Sequence, residues 1–262
     1  MPRHAAFLDV DQTLIHGVSL FRFLAYDLRA SGAAEGAYDA AMAHNRRLKA
    51  AGISREQVNR EFFRQFGGRS VAELADRGER WWQQEERQGG LLDRAVLAAV
   101  DGHRAAGDLV VLVSGSFPPC LDPIARRVGA DAVLCTRPAT GAGRYTGAVP
   151  RPMIGAEKAR AIEELAASLA VDLAGSHAYG DHPSDLPMLA AVGHPVVVGD
   201  DPRMRREAAA RGWTVLAAAP APVPAPAAVP APAPVPAPHP APVPARPERH
   251  VAQERFEPWQ RR

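Results

Sequence analysis

Short, unbroken apolar runs recur along this chain, and helical spacing follows most of them. Residues 5–9, 109–113, 132–135, 177–180 and 195–198 each read as a buried strand, and 213–216 reads as an edge strand. Helical stretches occupy 118–128, 156–170, 184–191 and 202–211. A strand that is apolar at every residue must be covered on both faces, and alternation with helices supplies that cover. The pattern predicts an α/β fold built on a doubly wound, mostly parallel sheet. One interruption, Arg144-Tyr145-Thr146-Gly147 with Gly141 and Gly143 ahead of it, reads as a hairpin turn and exit.

Two segments fall outside the alternation. Residues 20–106 carry no clear strand signal. Their apolar residues recur at helical spacing: Leu20, Phe21, Phe23 and Leu24, then Phe62, Phe63 and Phe66, then Leu91, Leu92, Val96, Leu97 and Val100. Ser54 with Gln57 reads as a capping box and Gly67-Gly68 as a helix stop. A helical module is therefore expected between the first and second strands. In a doubly wound sheet ligands sit beyond the carboxyl ends of the strands, so an insert leaving from that end hangs over the site. Residues 220–247 repeat Pro-Ala and Pro-Val almost without interruption. Proline fixes φ and removes backbone donors, which predicts an extended, disordered Pro/Ala-rich tail. Composition favours a spacer there, with a docking segment for a proline-binding partner as the alternative. The expected organisation is a core of 1–16 and 107–217, a helical cap of 17–106 and a tail of 218–262.

Composition narrows the functional classes. Of 262 residues 47% are hydrophobic, enough to bury a sizeable core. The net charge of +2 is close to balance and no basic tract of the kind that tracks nucleic acid is present. Cys120 and Cys135 alone imply no disulfide framework and fit a reducing compartment. No export signal is read at the start, and no apolar run reaches the ~18 residues of a bilayer span. The expectation is a cytoplasmic protein with no membrane and no nucleic-acid partner.

The first strand ends in a pair of carboxylates, Asp9 and Asp11. A spacing of two puts them on one side if strand geometry persists, and like charges that close need a cation or a shared proton. Magnesium takes oxygen ligands, often one or two carboxylates with phosphate oxygens. Alone the pair reads more readily as a surface turn or a cap. Further on, Ser114-Gly115-Ser116 follows the second strand and offers a hydroxyl and glycine-rich backbone donors, which suit phosphate oxygens. Lys158 sits near a helix start, where an isolated lysine is normally a solvated surface residue. Asp181 follows another strand end, with Asp185 a helical turn later, a spacing that also suits acidic helix caps.

In order, these segments resemble the four motifs of haloacid dehalogenase (HAD) superfamily hydrolases, in the phosphoserine-phosphatase-like branch (subfamily IB) with a helical cap after the first motif. Asp9-Val10-Asp11-Gln12-Thr13 is similar to the first motif and Leu112-Val113-Ser114-Gly115-Ser116 to the second. Gly155-Ala156-Glu157-Lys158 is similar to the third, and Gly180-Asp181-His182-Pro183-Ser184-Asp185 to the fourth. The resemblance spans about 5–216 apart from most of the cap, and it implies a HAD-like Rossmannoid core. Gln12 stands where the family usually has glycine, in a backbone turn, and His182-Pro183 replaces commoner small residues.

What the resemblance implies is a phosphatase for a small phosphorylated metabolite. Asp9 would be the nucleophile that forms an aspartyl-phosphate, and Asp11 the acid and base. Asp9, the backbone carbonyl of Asp11, and Asp181 would hold Mg²⁺, with Asp185 as ligand or support. Ser114, the Gly115 amide and Lys158 would neutralise the phosphoryl oxygens, and Thr13 would orient the loop around Asp9. Relatives that cleave carbon–halogen bonds lack an acid at the place of Asp11, which favours a phosphomonoester. A phosphotransferase using an acceptor other than water and a non-catalytic binding protein using its proline-rich tail are the alternatives. His16, at the edge of the cap, and Ser19, Arg22, His44, Arg46, Arg47, Trp81 and Trp82 within it are candidates to face the pocket.

Overall fold

A computed structural model of the chain describes residues 3–219; the expected tail from 220 onward and any partner for it lie outside the described residues. In chain order the elements are β1 (Ala5–Leu8), α1 (Ser19–Ala30), α2 (Ala37–Ala50), α3 (Arg55–Phe63), α4 (Val71–Gln88), α5 (Arg94–Ala106), β2 (Leu109–Ser114), α6 (Pro118–Val128) and β3 (Ala132–Cys135). They continue as β4 (Thr140–Gly141), β5 (Arg144–Tyr145), α7 (Ala156–Leu169), β6 (His177–Gly180), α8 (Leu186–Ala190), β7 (His194–Val198), α9 (Pro202–Arg211) and β8 (Thr214–Leu216).

The main sheet runs β3-β2-β1-β6-β7-β8, and every pairing in it is parallel. Side chains of a strand alternate between faces, and the core divides accordingly. Ala6, Leu8, Val110 and Leu112 pack on one side with α5 and α6, through Val96, Val100, Leu121 and Ile124. Ala5, Phe7, Val111 and Val113 pack on the other with Ile162, Met188, Leu189 and Met204, from α7, α8 and α9. This is the covered sheet that the apolar runs predict. The strand order reverses beside β1, so the crevice for a ligand opens above the carboxyl ends of β1 and β6.

The stretch between β1 and β2 is helical, as its spacing predicts, with two differences of detail. Leu91 and Leu92 precede α5 and pair instead with the chain after β1: Ile15 bridges Leu92, and the His16 amide donates to the Leu91 carbonyl at 2.8 Å. The two crossings between sheet and helices are thereby stitched together. Helix α5 packs on β1 and β2, so it belongs to the layer that covers the sheet. Ser54 caps α3 by accepting from the Gln57 amide at 3.3 Å.

An aromatic cluster joins this helical stretch to the core. Phe117, at the start of α6, meets Phe23, Phe63 and Phe66 at ring-centre distances of 5.7, 5.3 and 4.9 Å. Trp81 is fully buried in the same cluster, and Trp82 beside it is buried too, so neither faces solvent or the pocket. Gly78 of α4 lies against α6 so closely that a Cβ there would come 1.9 Å from the Pro119 carbonyl oxygen. The buried Asp27 of α1 receives Arg69 at 2.7 and 3.0 Å and Arg77 at 2.9 Å, and both arginines also pair with Glu73, a four-residue network between α1 and the start of α4. The hairpin lies one pair earlier than its sequence suggested. Arg144-Tyr145 is a strand paired with Thr140-Gly141, and Ala142-Gly143 forms the turn with φ of 49° and 72°, the left-handed pair that suits strand twist.

Candidate active site

The first aspartate continues β1 by one step. Its amide donates to the Tyr179 carbonyl at 3.0 Å, which holds buried Asp9 above the junction of β1 and β6. Strand geometry ends there. The chain reverses through Gln12, whose φ of 67° lies in the left-handed region that glycine occupies without cost. Asp11 therefore reaches the site on a loop and not along a strand. The Ser19 amide, at the start of α1, donates to Asp11 Oδ1 at 2.7 Å. Both aspartates nevertheless line one cavity of about 270 Å³ between the sheet and the inserted helices.

The other charged groups arrive from β6 and α7. Lys158, in the first turn of α7, is buried and bonds to Asp9 and, at 2.7 Å, to Asp185. Asp185 ends a short 3-10 turn after β6 and accepts from the His182 amide at 3.1 Å. Gly180 is required beside it, because a Cβ there would lie 2.7 Å from the Asp185 Cβ. Asp181 accepts from Thr13 Oγ1 at 3.0 Å and from Gln12 Nε2 at 3.1 Å. Carboxylate oxygens of Asp9, Asp181 and Asp185 lie within 4.8 Å of one another.

Three carboxylates face one ammonium here, and the proton affinities follow. Burial raises the Asp9 pKa well above the usual carboxylate range; Lys158 opposes this, while Asp185, Asp181 and Asp11 add to it. Burial raises Asp11, against its hydrogen bonding to Ser19. Burial and then Asp185 raise Asp181, against its bonds from Thr13 and Gln12. Burial acts to lower the Lys158 ammonium, but Asp185 and Asp9 overcome it and hold the lysine charged. A site of this charge suits a hard dication, and the all-oxygen donor set is the kind Mg²⁺ takes. Asp9, Asp181 and Asp185 are the side chains that fit it; the Asp11 carboxylate is engaged by Ser19 and lies outside this group.

The remaining expected residues divide. Gly115 lines the cavity, and its carbonyl accepts from Asn59 Nδ2 at 3.0 Å. Ser114 is fully buried, accepts from the Ser116 amide at 3.1 Å, and is not among the lining residues. Thr13 reaches Asp181. His182 lines the cavity, and its Nδ1 accepts from the Ser184 amide at 3.0 Å. None of the eight cap candidates lines the cavity. Arg22 pairs with Glu85, His44 lies 3.7 Å from Glu61, and Ser19 acts by holding Asp11. The inserted helices contribute Asn45 and Lys49 from α2 with Arg55, Val58, Asn59 and Phe62 from α3. These are four apart on α2 and three, four and seven apart on α3, one face of each helix. That periodicity was available in the sequence, but polar residues on a helix face ordinarily mean solvent.

The sequence matches the haloacid dehalogenase-like hydrolase family over residues 6–190, and the chain belongs to that family. It is similar to the inhibition of morphological differentiation protein of Streptomyces azureus, at 34% identity over 238 residues, 82% of this chain and 79% of the relative. It is also similar to phosphoserine phosphatase SerB1 of Mycobacterium tuberculosis, at 31% identity over 222 residues, 80% of this chain and 70% of that one. Within the family the chain is phosphoserine-phosphatase-like. Among solved structures, a protein of unknown function from Bordetella pertussis Tohama I superimposes with a TM-score of 0.74 at 29% identity, covering 82% of this chain and 99% of that one. Among the described residues no helix is long and apolar enough to cross a membrane.

Proposed function

We propose that this chain is a Mg²⁺-dependent phosphatase that hydrolyses a small phosphomonoester through an aspartyl-phosphate on Asp9. The observation that carries this reading is the convergence of Asp9, Asp11 and Lys158 on one cavity, with Asp181 and Asp185 beside Asp9. The Asp9 carboxylate attacks phosphorus and the bond from phosphorus to the ester oxygen breaks. Protonated Asp11 gives its proton to the departing alkoxide, and burial, which raises its pKa, favours the protonated form needed. Asp11 then takes a proton from water, which attacks phosphorus and releases Asp9 and inorganic phosphate. Lys158 and the Gly115 backbone face the phosphoryl oxygens, where positive charge and N–H donors stabilise the developing negative charge. Bound between Asp9, Asp181 and Asp185, a magnesium ion would supply charge neutralisation, so that an anion can approach a dianion. The cap is the helical stretch over the cavity, and a cytoplasmic setting fits the two buried, unpaired cysteines.

The test is hydrolysis of an aryl phosphate with Mg²⁺ and with EDTA, beside the Asp9→Asn variant. Turnover that needs Mg²⁺ and vanishes in a folded Asp9→Asn protein is expected. Undiminished turnover in that variant would remove Asp9 as nucleophile.

A further inference from the structure

Away from Asp9, the cavity has a polar outfit that phosphoryl transfer does not use. Asn45 and Asn59 are 6% and 8% exposed, and the Oδ1 of each is buried without a hydrogen-bond partner among the described residues. A buried acceptor left unpaired costs ~1–3 kcal/mol, so two of them on residues that line one cavity call for donors, which a ligand would bring. The Asn59 amide nitrogen is already committed to the Gly115 carbonyl at 3.0 Å, which fixes the side chain with its oxygen as the free group. Lys49 and Arg55 stand at the exposed rim of the same cavity, and neither forms an ion pair with a described carboxylate. Burial lowers the Lys49 pKa, and the neighbouring Arg55 charge adds to it, as two cations sharing one mouth should behave. Apart from Asp9 and Asp11 the lining contains no carboxylate. Leu20, Phe21, Val58 and Phe62 make up much of the remaining wall.

Resting on the phosphatase reading, we infer that Asn45, Asn59, Lys49 and Arg55 select a small leaving group that carries a second anion and neutral hydroxyl donors, and that they discriminate against an ammonium. The rim cations hold the second anion. The amide oxygens accept from hydroxyls, which are satisfied by a neutral acceptor. An ammonium in the same place would be taken from water without a carboxylate to compensate it and would face two like charges. The volume of about 270 Å³ lies below the ~300–1,000 Å³ usual for drug-sized ligands, so the leaving group is a few carbons long.

The experiment compares three esters of one skeleton on the Mg²⁺-loaded full chain: 3-phosphoglycerate, O-phosphoserine and glycerol 3-phosphate, with an aryl phosphate as reference. The first two differ by hydroxyl against ammonium, and the first and third by carboxylate against a neutral carbinol. The expected kcat/KM for 3-phosphoglycerate exceeds each of the other two by about tenfold. Lys49→Ala and Arg55→Ala should draw the 3-phosphoglycerate to glycerol 3-phosphate ratio toward one. Asn45→Asp supplies the missing carboxylate and should shift the ratio toward phosphoserine by about tenfold. Ratios within one preparation cancel any loss of folded protein. Phosphoserine turned over as well as 3-phosphoglycerate, or a ratio unmoved by Asn45→Asp, would overturn the subsite. Aryl phosphate turnover without turnover of the three esters would overturn it too while leaving the phosphatase intact. No turnover of any ester would bring down the phosphatase reading and this inference with it.

Discussion

Replacing Asp181 by asparagine should stabilise the metal-free protein and abolish its stabilisation by Mg²⁺. Asp181 faces Asp9 and Asp185 with carboxylate oxygens within 4.8 Å, and at an effective dielectric near 20 each such pair repels by ~3.5 kcal/mol. Burial raises the Asp9 pKa and so weakens its repulsion of Asp181, which leaves about one of the two pairs, ~3 kcal/mol. Asparagine keeps an oxygen for Thr13 but meets the Gln12 amide with a second amide, a loss of about 1 kcal/mol. The net gain of ~2 kcal/mol corresponds to a rise in Tm of about 4–8 °C for a domain of this size. In saturating Mg²⁺ the order should invert. A ligand present at 100 times its Kd adds ~2.7 kcal/mol to a protein that binds it and nothing to one that does not. Thermal unfolding by circular dichroism in EDTA and in excess Mg²⁺ reads both halves. A Tm below wild type in EDTA, or a Mg²⁺-dependent rise equal to that of wild type, would refute the electrostatic account of the site.

Three further outcomes are expected. Asp11→Asn should slow both formation and breakdown of the phosphoenzyme by ~10²–10⁴-fold, read by rapid quench, and an unchanged burst would contradict its acid role. Asp27→Ala removes the buried acceptor that Arg69 and Arg77 share, leaving them the exposed Glu73 as their counter-charge, and should cost ~3 kcal/mol, a fall in Tm of about 6–12 °C, with a loss under ~1 kcal/mol refuting the network. The His177 pKa is lowered by burial and then by His103 and His194, so the unfolded chain binds more protons just below its ordinary value. Stability from this group is complete above about pH 6.5 and is lost as pH falls. His177→Phe, which keeps a ring against His194, should flatten the decline of Tm on acidification, and an unaltered slope would exclude His177 as a source.

The strands were legible because a parallel sheet buried on both faces leaves continuous apolar runs, as at Val110–Leu112 and Val196–Val198. Lys158 and Asp181 were legible only through their motifs, since one lysine or one aspartate carries no local signal. The path of Asp11 was not. It depends on Gln12 taking a left-handed conformation, and nothing in its side chain announces that. The cap residues were least legible of all. Trp81, Trp82 and Arg22 looked like pocket groups by chemical type, but the aromatic cluster and Glu85 claim them. Asn45 and Asn59 carry no local signal, and only the three-dimensional juxtaposition of α2 and α3 brings them to one cavity.

The seat of Gly78 on Pro119 governs how a substrate can enter. With α4 held backbone to backbone on α6, and Phe23, Phe63 and Phe66 gathered on Phe117, three of the helices over the cavity are anchored to the sheet layer. Helix α2 packs chiefly on α1 and α3, and the short connection after it exposes Ile53. Any widening of the mouth is therefore expected of α2, which carries Lys49 at the rim, and solution scattering curves with and without a bound ester should superimpose, because no large body swings.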